Sequence, residues 1–350
     1  MQTSTRLLWV SAILAIAGLG LIDFGYGRYA THHFVPNMTL QKAEAAGTRC
    51  LVTLGDSRMA AGIDAPILTT ALRAGAIETC VAPLAIGALP ISGQAMALRR
   101  LMHDLGVPRW VVLGASAGTL LEENSPDPSA FFGNRAAELA WSDSSDIYRY
   151  YPRFPFADLD RGVRFWFARS NALTTYASAT WIKTQALQDR LVGNRPETQR
   201  NRFGSLKDMQ ALLGSFRDQA TQALAAPNGG YRLNPWFELV RSLVHHSGAR
   251  LIVLEVPMPA SYRREVLDSS AGRRYRGWLE SQLARSGDAF LDMSAPRSIH
   301  DRDFADGIHL DKDGAKAFSS DLGEKLAPLL ASAAAAQQQS PVNTESVNAR

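Results

Sequence analysis

The feature that most constrains this chain is a repeated order: a short apolar run, a stop, then apolar residues at helical spacing. Leu51–Leu54 is such a run, ending at Gly55. Asp64 then opens a helix with Pro66 in its first turn and Leu68, Ala71 and Leu72 on one face. Cys80–Ile86 reads as a second strand ending at Gly87. The helix after it carries Leu98, Leu101, Met102 and Leu105 and is stopped by Gly106. Trp110–Leu113 reads as a third strand. After a long interruption, Asn234-Pro235 starts a helix bearing Phe237, Val240, Leu243 and Val244, closed by Gly248. Leu251–Val256 is the fourth strand, ended by Pro257 and Pro259. Tyr275, Trp278, Leu279 and Leu283 form the next helical face, Ala289–Met293 a fifth strand, and Phe318, Leu322, Leu326 and Leu329 the last helix. Alternation of this kind predicts an α/β fold, a parallel sheet with helices on both faces joined by right-handed crossovers. In such sheets chemistry gathers at the carboxyl ends of the strands.

The flanks and the interruption have their own character. Leu7–Ile22 carries no charge and lies at the short end of what spans a bilayer. Phe24 and Tyr26 suit an interface, and Arg6 precedes the run. Residues 1–26 therefore read as an uncleaved membrane anchor, with a cleaved signal peptide as the competing reading. On either reading the rest of the chain is exported. Residues 27–48 read as a tether, and 331–350, rich in Ala, Gln and Ser, as a disordered tail. The interruption, at about 120–233, holds aromatic and basic clusters such as YRYYPRFPF and RFWFARS. It is too long for a structureless loop and predicts a mainly helical insertion, either a cap beside the strand ends or a second packing layer. The formal charge of +4 is scattered, with no basic stripe, which argues against nucleic-acid binding.

Two short motifs carry chemistry. Gly55-Asp56-Ser57 follows the first strand at its carboxyl end, where a strand-to-helix turn exposes a hydroxyl and lends backbone N–H groups to an oxyanion. Alone, the tripeptide is also a common turn and helix cap. Asp306-Gly307-Ile308-His309 follows the fifth strand; its spacing lets Asp306 orient the imidazole through Nδ1 while Nε2 faces a serine. His32, His33, His103, His245, His246 and His300 fit surface or capping duty. His245 and His246, for instance, sit in the last turn of a helix, where cations suit the dipole. Asp301, Asp303, Asp311 and Asp313 lack calcium-loop spacing and read as loop and cap residues, so neither a metal nor a cofactor is expected.

In this order, the motifs resemble the SGNH or GDSL hydrolase superfamily. Gly55, Asp56 and Ser57 match its nucleophile turn, and Asp306 and His309 match its Asp-x-x-His. Gly87 stands where a glycine N–H joins the oxyanion hole. The usual Gly-x-Asn-Asp after the third strand is here Gly114-Ala115-Ser116-Ala117, so the oxyanion asparagine is absent and Ser116 is the candidate to replace it. The resemblance covers roughly residues 49–118 and 234–325 and implies a three-layer α/β/α sandwich over 49–330 with a five-stranded parallel sheet. It further implies a Ser57–His309–Asp306 triad, with oxyanion donors from Ser57, Gly87 and Ser116.

Gly-Asp-Ser-Arg with a single anchor is similar to export-side members that add or remove O-acetyl groups on envelope polysaccharides. The resemblance thus implies an acyl-ester or glycan substrate, an inner-membrane anchored chain with its domain in the periplasm, and a multi-span acyl-donor protein as partner. The competing readings are a lysophospholipase or general esterase, and a catalytically weak assembly partner of a polysaccharide-modification complex. The family's first two strands are neighbours. Cys50 and Cys80 would then lie at their amino ends, either as a disulfide or as two buried thiols.

Overall fold

A computed structural model describes residues 50–87, 89–121, 206–225 and 230–339, together with parts of 10–22 and two positions near residue 44. Five parallel strands form one sheet: β1 (Leu51–Gly55), β2 (Val81–Pro83), β3 (Trp110–Ala115), β4 (Arg250–Glu255) and β5 (Ala289–Asp292), in the order β2-β1-β3-β4-β5. The architecture is α/β, with a parallel five-stranded sheet as the sequence predicts. The sheet has two buried faces because its strands are apolar at consecutive positions. Val52, Leu54, Val111, Leu113, Leu251 and Val253 turn to one side; Leu51, Trp110, Val112, Ile252 and Leu254 turn to the other.

Helices cover both sides. On the first side lie α3 (Ile91–Leu105), α6 (Pro235–His246) and α7 (Ser270–Arg285), through residues such as Leu98, Phe237, Val240 and Tyr275. On the second lie α2 (Ala65–Ala74) and α8 (Lys312–Gln339), through Leu68, Leu72, Phe318, Leu322 and Leu326. Capping follows the sequence signals: Asp64 accepts from the Ile67 N–H, and Asn234 from the Trp236 N–H. Gly248 and Gly287, at φ 73° and 77°, take the left-handed turns that follow α6 and α7.

Two expectations are corrected. The second strand, expected over Cys80–Ile86, is paired as strand only over Val81–Pro83. Pro83 has no N–H to donate, and β2 is an edge strand, where such a break is tolerated. The segment still runs beside β1, since Leu84 N donates to Thr53 O and Ile86 N to Gly55 O. The tail expected to be disordered from residue 331 instead continues α8 to Gln339. Alanine and glutamine propagate a helix well once a packed segment has nucleated it. Residues 340–350 lie outside the described residues.

The interruption leaves from α4 (Ala117–Leu120) and returns at its own point of exit. Leu121 and Leu233 form an antiparallel bridge, and the Asn234 N–H donates to Leu120 O at 2.7 Å. Within it, α5 (Leu206–Leu224) packs on α4 and on a π turn, Arg263–Leu267, that follows β4. Residues 122–205 lie outside the described residues, as does the tether apart from isolated positions. Among the described residues no helix is long and apolar enough to cross a membrane. The described positions of the apolar N-terminal stretch are helical, with Val10, Ile13, Leu14, Leu19, Leu21 and Ile22 exposed.

A disulfide joins Cys50 and Cys80 at the amino ends of β1 and β2, with Cα atoms 4.4 Å apart. It closes a loop with a sequence separation of 30, which restricts the unfolded chain. The expected outcome for Cys50→Ala/Cys80→Ala is a loss of ~2–4 kcal/mol in denaturant unfolding. Alkylation of the denatured, unreduced protein should modify neither cysteine; two reactive thiols would exclude the bond.

Candidate functional site

The site begins with a close approach. Gly55 and Gly114 are paired in register on β1 and β3, and a Cβ on either would fall on the side chain of Met59, which is fully buried. The bare backbone lets α1 (Ser57–Gly62) start almost directly off β1 and drop its third residue onto the sheet. Asp56 caps α1 by accepting from the Arg58 N–H at 2.9 Å. The far end of α1 is tied down by Ser319 of α8, whose hydroxyl accepts from the Asp64 N–H and donates to Gly62 O. Ser57 therefore stands on a turn held at both ends, at the carboxyl end of a central strand.

The histidine arrives on the loop that follows β5, the far edge strand. After β5 the chain folds into a tight loop in which Phe304 bridges Leu310 and Ala305 N donates to His309 O. Asp306 organises that loop. One of its oxygens accepts the backbone N–H groups of Ile308 (2.9 Å) and His309 (2.7 Å), and the other meets His309 Nδ1 at 2.7 Å. A carboxylate can only accept, so Nδ1 carries the proton and Nε2 is left with its lone pair. Nε2 lies 2.7 Å from Ser57 Oγ. Asp306 and His309 are both buried, while Ser57 is half-buried. Ser57, His309 and Asp306 thus form one hydrogen-bonded chain ending on an accessible hydroxyl, the arrangement in which a base takes a serine proton.

Gly87 lies against this hydroxyl-bearing residue. A Cβ at Gly87 would stand 3.6 Å from Ser57 Cβ, in ordinary van der Waals contact with it. Ser116 stands at the start of α4, just beyond β3. Its hydroxyl accepts from Arg58 Nη2 at 3.3 Å and lies 3.2 Å from Thr119 Oγ1.

Arg58 is the residue that sequence reasoning missed. Its side chain is only 3% exposed and pairs with Asp56 through Nε and Nη2, the latter at 2.6 Å. Its guanidinium also lies 5.3 Å from the ring centre of Phe216 on α5. Burial alone would raise the Asp56 carboxyl and lower Arg58, but the charge and hydrogen bonds of each partner outweigh this. Asp56 is held below the ordinary carboxylate range and Arg58 above its own. The available signal was the spacing itself, an acid at the cap and a cation two residues on.

Beside Arg58 lies a second polar group without a motif. Glu255 ends β4, in register with Asp292 of β5. Burial pushes its carboxyl up to about 7; the Asp292 charge adds to the rise, and Arg58 and Arg276 oppose it. Burial likewise pushes the nearby Tyr262 hydroxyl up to about 12. The buried Tyr275 hydroxyl has no hydrogen-bond partner among the described residues.

The remaining candidates are structural. Asp301 accepts from Ala260 N, Asp303 from His300 N, and Asp311 from the Asp313 and Gly314 N–H groups at the start of α8. His245 stands in the last turn of α6, as the sequence predicts, and there also meets the buried Asp288 at 2.7 Å; Asp288 takes Arg241 and Ser286 as well. Comparison of the chain with protein-family models and with curated proteins finds no match to either.

The pH dependence of Glu255 has a definite sign. In the unfolded chain it ionises near 4.5, in the folded protein near 7. Its contribution is fully present below pH 4.5 and is lost as pH rises through 7, a change of ~3 kcal/mol. Glu255→Gln, which cannot ionise, should therefore gain stability over wild type as pH rises from 5 to 8. Denaturant midpoints across that range check this; a constant difference between the two proteins would contradict it.

Proposed function

We propose that the chain is a serine-nucleophile acyl-ester enzyme of the SGNH type, acting as an O-acetyltransferase or O-acetylesterase on an exported polysaccharide. The observation that carries the reading is the pair of 2.7 Å contacts joining Ser57 Oγ to His309 Nε2 and His309 Nδ1 to Asp306. Ser57 attacks the ester carbonyl while His309 takes its proton, and Asp306 keeps the imidazole in the required tautomer and stabilises the imidazolium. The tetrahedral oxyanion meets the N–H of Ser57, at the open start of α1, and that of Gly87. His309 then protonates the departing oxygen, leaving an acyl group on Ser57. Water completes hydrolysis; a sugar hydroxyl in its place completes transfer.

The choice of an exported substrate has two supports. The uncharged Leu7–Ile22 stretch reads as an anchor, and the Cys50–Cys80 bond is of a kind that persists in oxidising compartments. On this reading the domain faces the periplasm, beside a multi-span protein that supplies the acyl group.

An aryl acetate assay, with and without glycan acceptors, tests the proposal. Ser57→Ala should abolish turnover and covalent labelling by a phosphonate, and His309→Ala should lower the rate by a factor on the order of 10⁴ or more. Asp306→Asn should leave the fold intact and still lose roughly 10⁴-fold, because the amide favours the wrong tautomer. Wild-type activity in Ser57→Ala would refute the assignment.

A further inference from the structure

The inference concerns Arg58 and rests on the seryl reading above. Ser57 and Ser116 each stand two residues beyond Gly55 and Gly114, a register pair on adjacent parallel strands. The two serines therefore flank the same end of the sheet, one on each side of the β1–β3 seam. Ser116 occupies the cap position of α4, yet its hydroxyl makes no cap bond to that helix. A serine at such a position ordinarily accepts from the helix's first free N–H groups. Here the oxygen accepts from Arg58 Nη2 instead, with Thr119 Oγ1 as its other neighbour.

This exchange fixes the direction of a proton. Guanidinium has five donors and no acceptor, so the oxygen of Ser116 can only accept from it. The single Ser116 proton must then point away from Arg58, toward Thr119 or toward the open mouth, where Ser116 is half-buried. Arg58 itself cannot swing aside. It is forked on Asp56, its Nη1 lies 4.0 Å from Met258 Sδ, and Phe216 covers its face. We infer that Arg58 is a positioning residue, which holds the Ser116 hydroxyl as an oriented donor to the oxyanion formed on Ser57, with Asp56 as its counter-ion. At rest Thr119 Oγ1, 3.2 Å away, is within reach of that proton. When charge develops on the substrate oxygen, a charged acceptor is preferred over a neutral hydroxyl.

A double-mutant cycle tests this with the full-length protein and an aryl acetate. Ser116→Ala should lower kcat by about a hundredfold with KM little changed, and Ser116→Thr, which keeps the hydroxyl, should retain most of the rate. Arg58→Met should show a similar fall in kcat. In the Arg58→Met background, exchanging Ser116 for Ala should cost almost nothing further, and the advantage of Thr over Ala should vanish. If Arg58→Met does not fold, Arg58→Lys takes its place: one ammonium keeps the charge opposite Asp56 but loses the Nη2 donor to Ser116, and the same coupling is expected. Equal fold-losses for Ser116→Ala in both backgrounds would overturn the inference, as would full activity of Ser116→Ala. In either case labelling of Ser57 by a phosphonate would leave the acyl-ester reading standing. A wild-type protein that neither hydrolyses the ester nor is labelled at Ser57 would remove both.

Discussion

The seating of Met59 over two glycines sets the rest of the site. A helix that starts one residue after a parallel strand must tip inward at once, and it can do so only where the sheet offers no Cβ. Gly55 and Gly114 supply that gap on neighbouring strands, and Met59 fills it completely. With the third residue of α1 fixed in the sheet, the preceding two are fixed as well. Successive helical side chains point about 100° apart, so neighbours never share a direction. Ser57 is left at the mouth, Arg58 is sent into the space beyond β3, and Asp56 turns back to cap the helix and hold Arg58. Serine, cation and cap are thus three consequences of one packing contact.

Charge around this turn is decided by who reaches a partner first. Asp56 and Glu255 are both carboxyls near Arg58, yet their behaviour is opposite. Asp56 touches the guanidinium at 2.6 Å and stays below the usual carboxylate range despite burial. Glu255 has Arg58 and Arg276 nearby, but Arg58 is already forked on Asp56, and Arg276 lies 2.7 Å from Asp292. With its cations engaged elsewhere and Asp292 beside it, burial wins and the carboxyl rises to about 7. A buried pair costs desolvation on both sides, and close, forked geometry is what offsets it. The Asp56–Arg58 pair has that geometry; Glu255 has none.

Much of this was legible in the sequence, for reasons that differ by element. The sheet could be read because β1, β3 and β4 are apolar at nearly every position and buried on both faces, so these runs stood out between helical faces. Ser57 could be read because it falls just beyond β1, where parallel sheets present side chains, and Asp306 and His309 because their Asp-x-x-His spacing lies in the loop between β5 and the last helix. The end of β2 could not, since a proline within an apolar run leaves the run intact while removing a ladder donor. Arg58 could not, because its partners come from sequence distances as unlike as two residues and fifty-eight. The same holds for His245 and Asp288, whose contact depends on where α6 ends relative to β5. Composition placed a tail from residue 331, but a helix already packed through Phe318, Leu322 and Leu326 carries alanines and glutamines along with it.

Among the described residues, the insertion reaches the charged cluster through Phe216 of α5. Its two ends are pinned together at Leu121 and Leu233, so the fold beneath closes as if the excursion were absent. The cost of such a closed excursion grows only slowly with its length, which leaves the core indifferent to how much chain is placed there. What returns to the core is α5, and Phe216 lays its ring over Arg58 while Arg217 pairs with Glu265 on the π turn. The ring keeps water from the guanidinium, and an ion pair gains strength as water is excluded from it. The Asp56–Arg58 pair is therefore only as rigid as its cover.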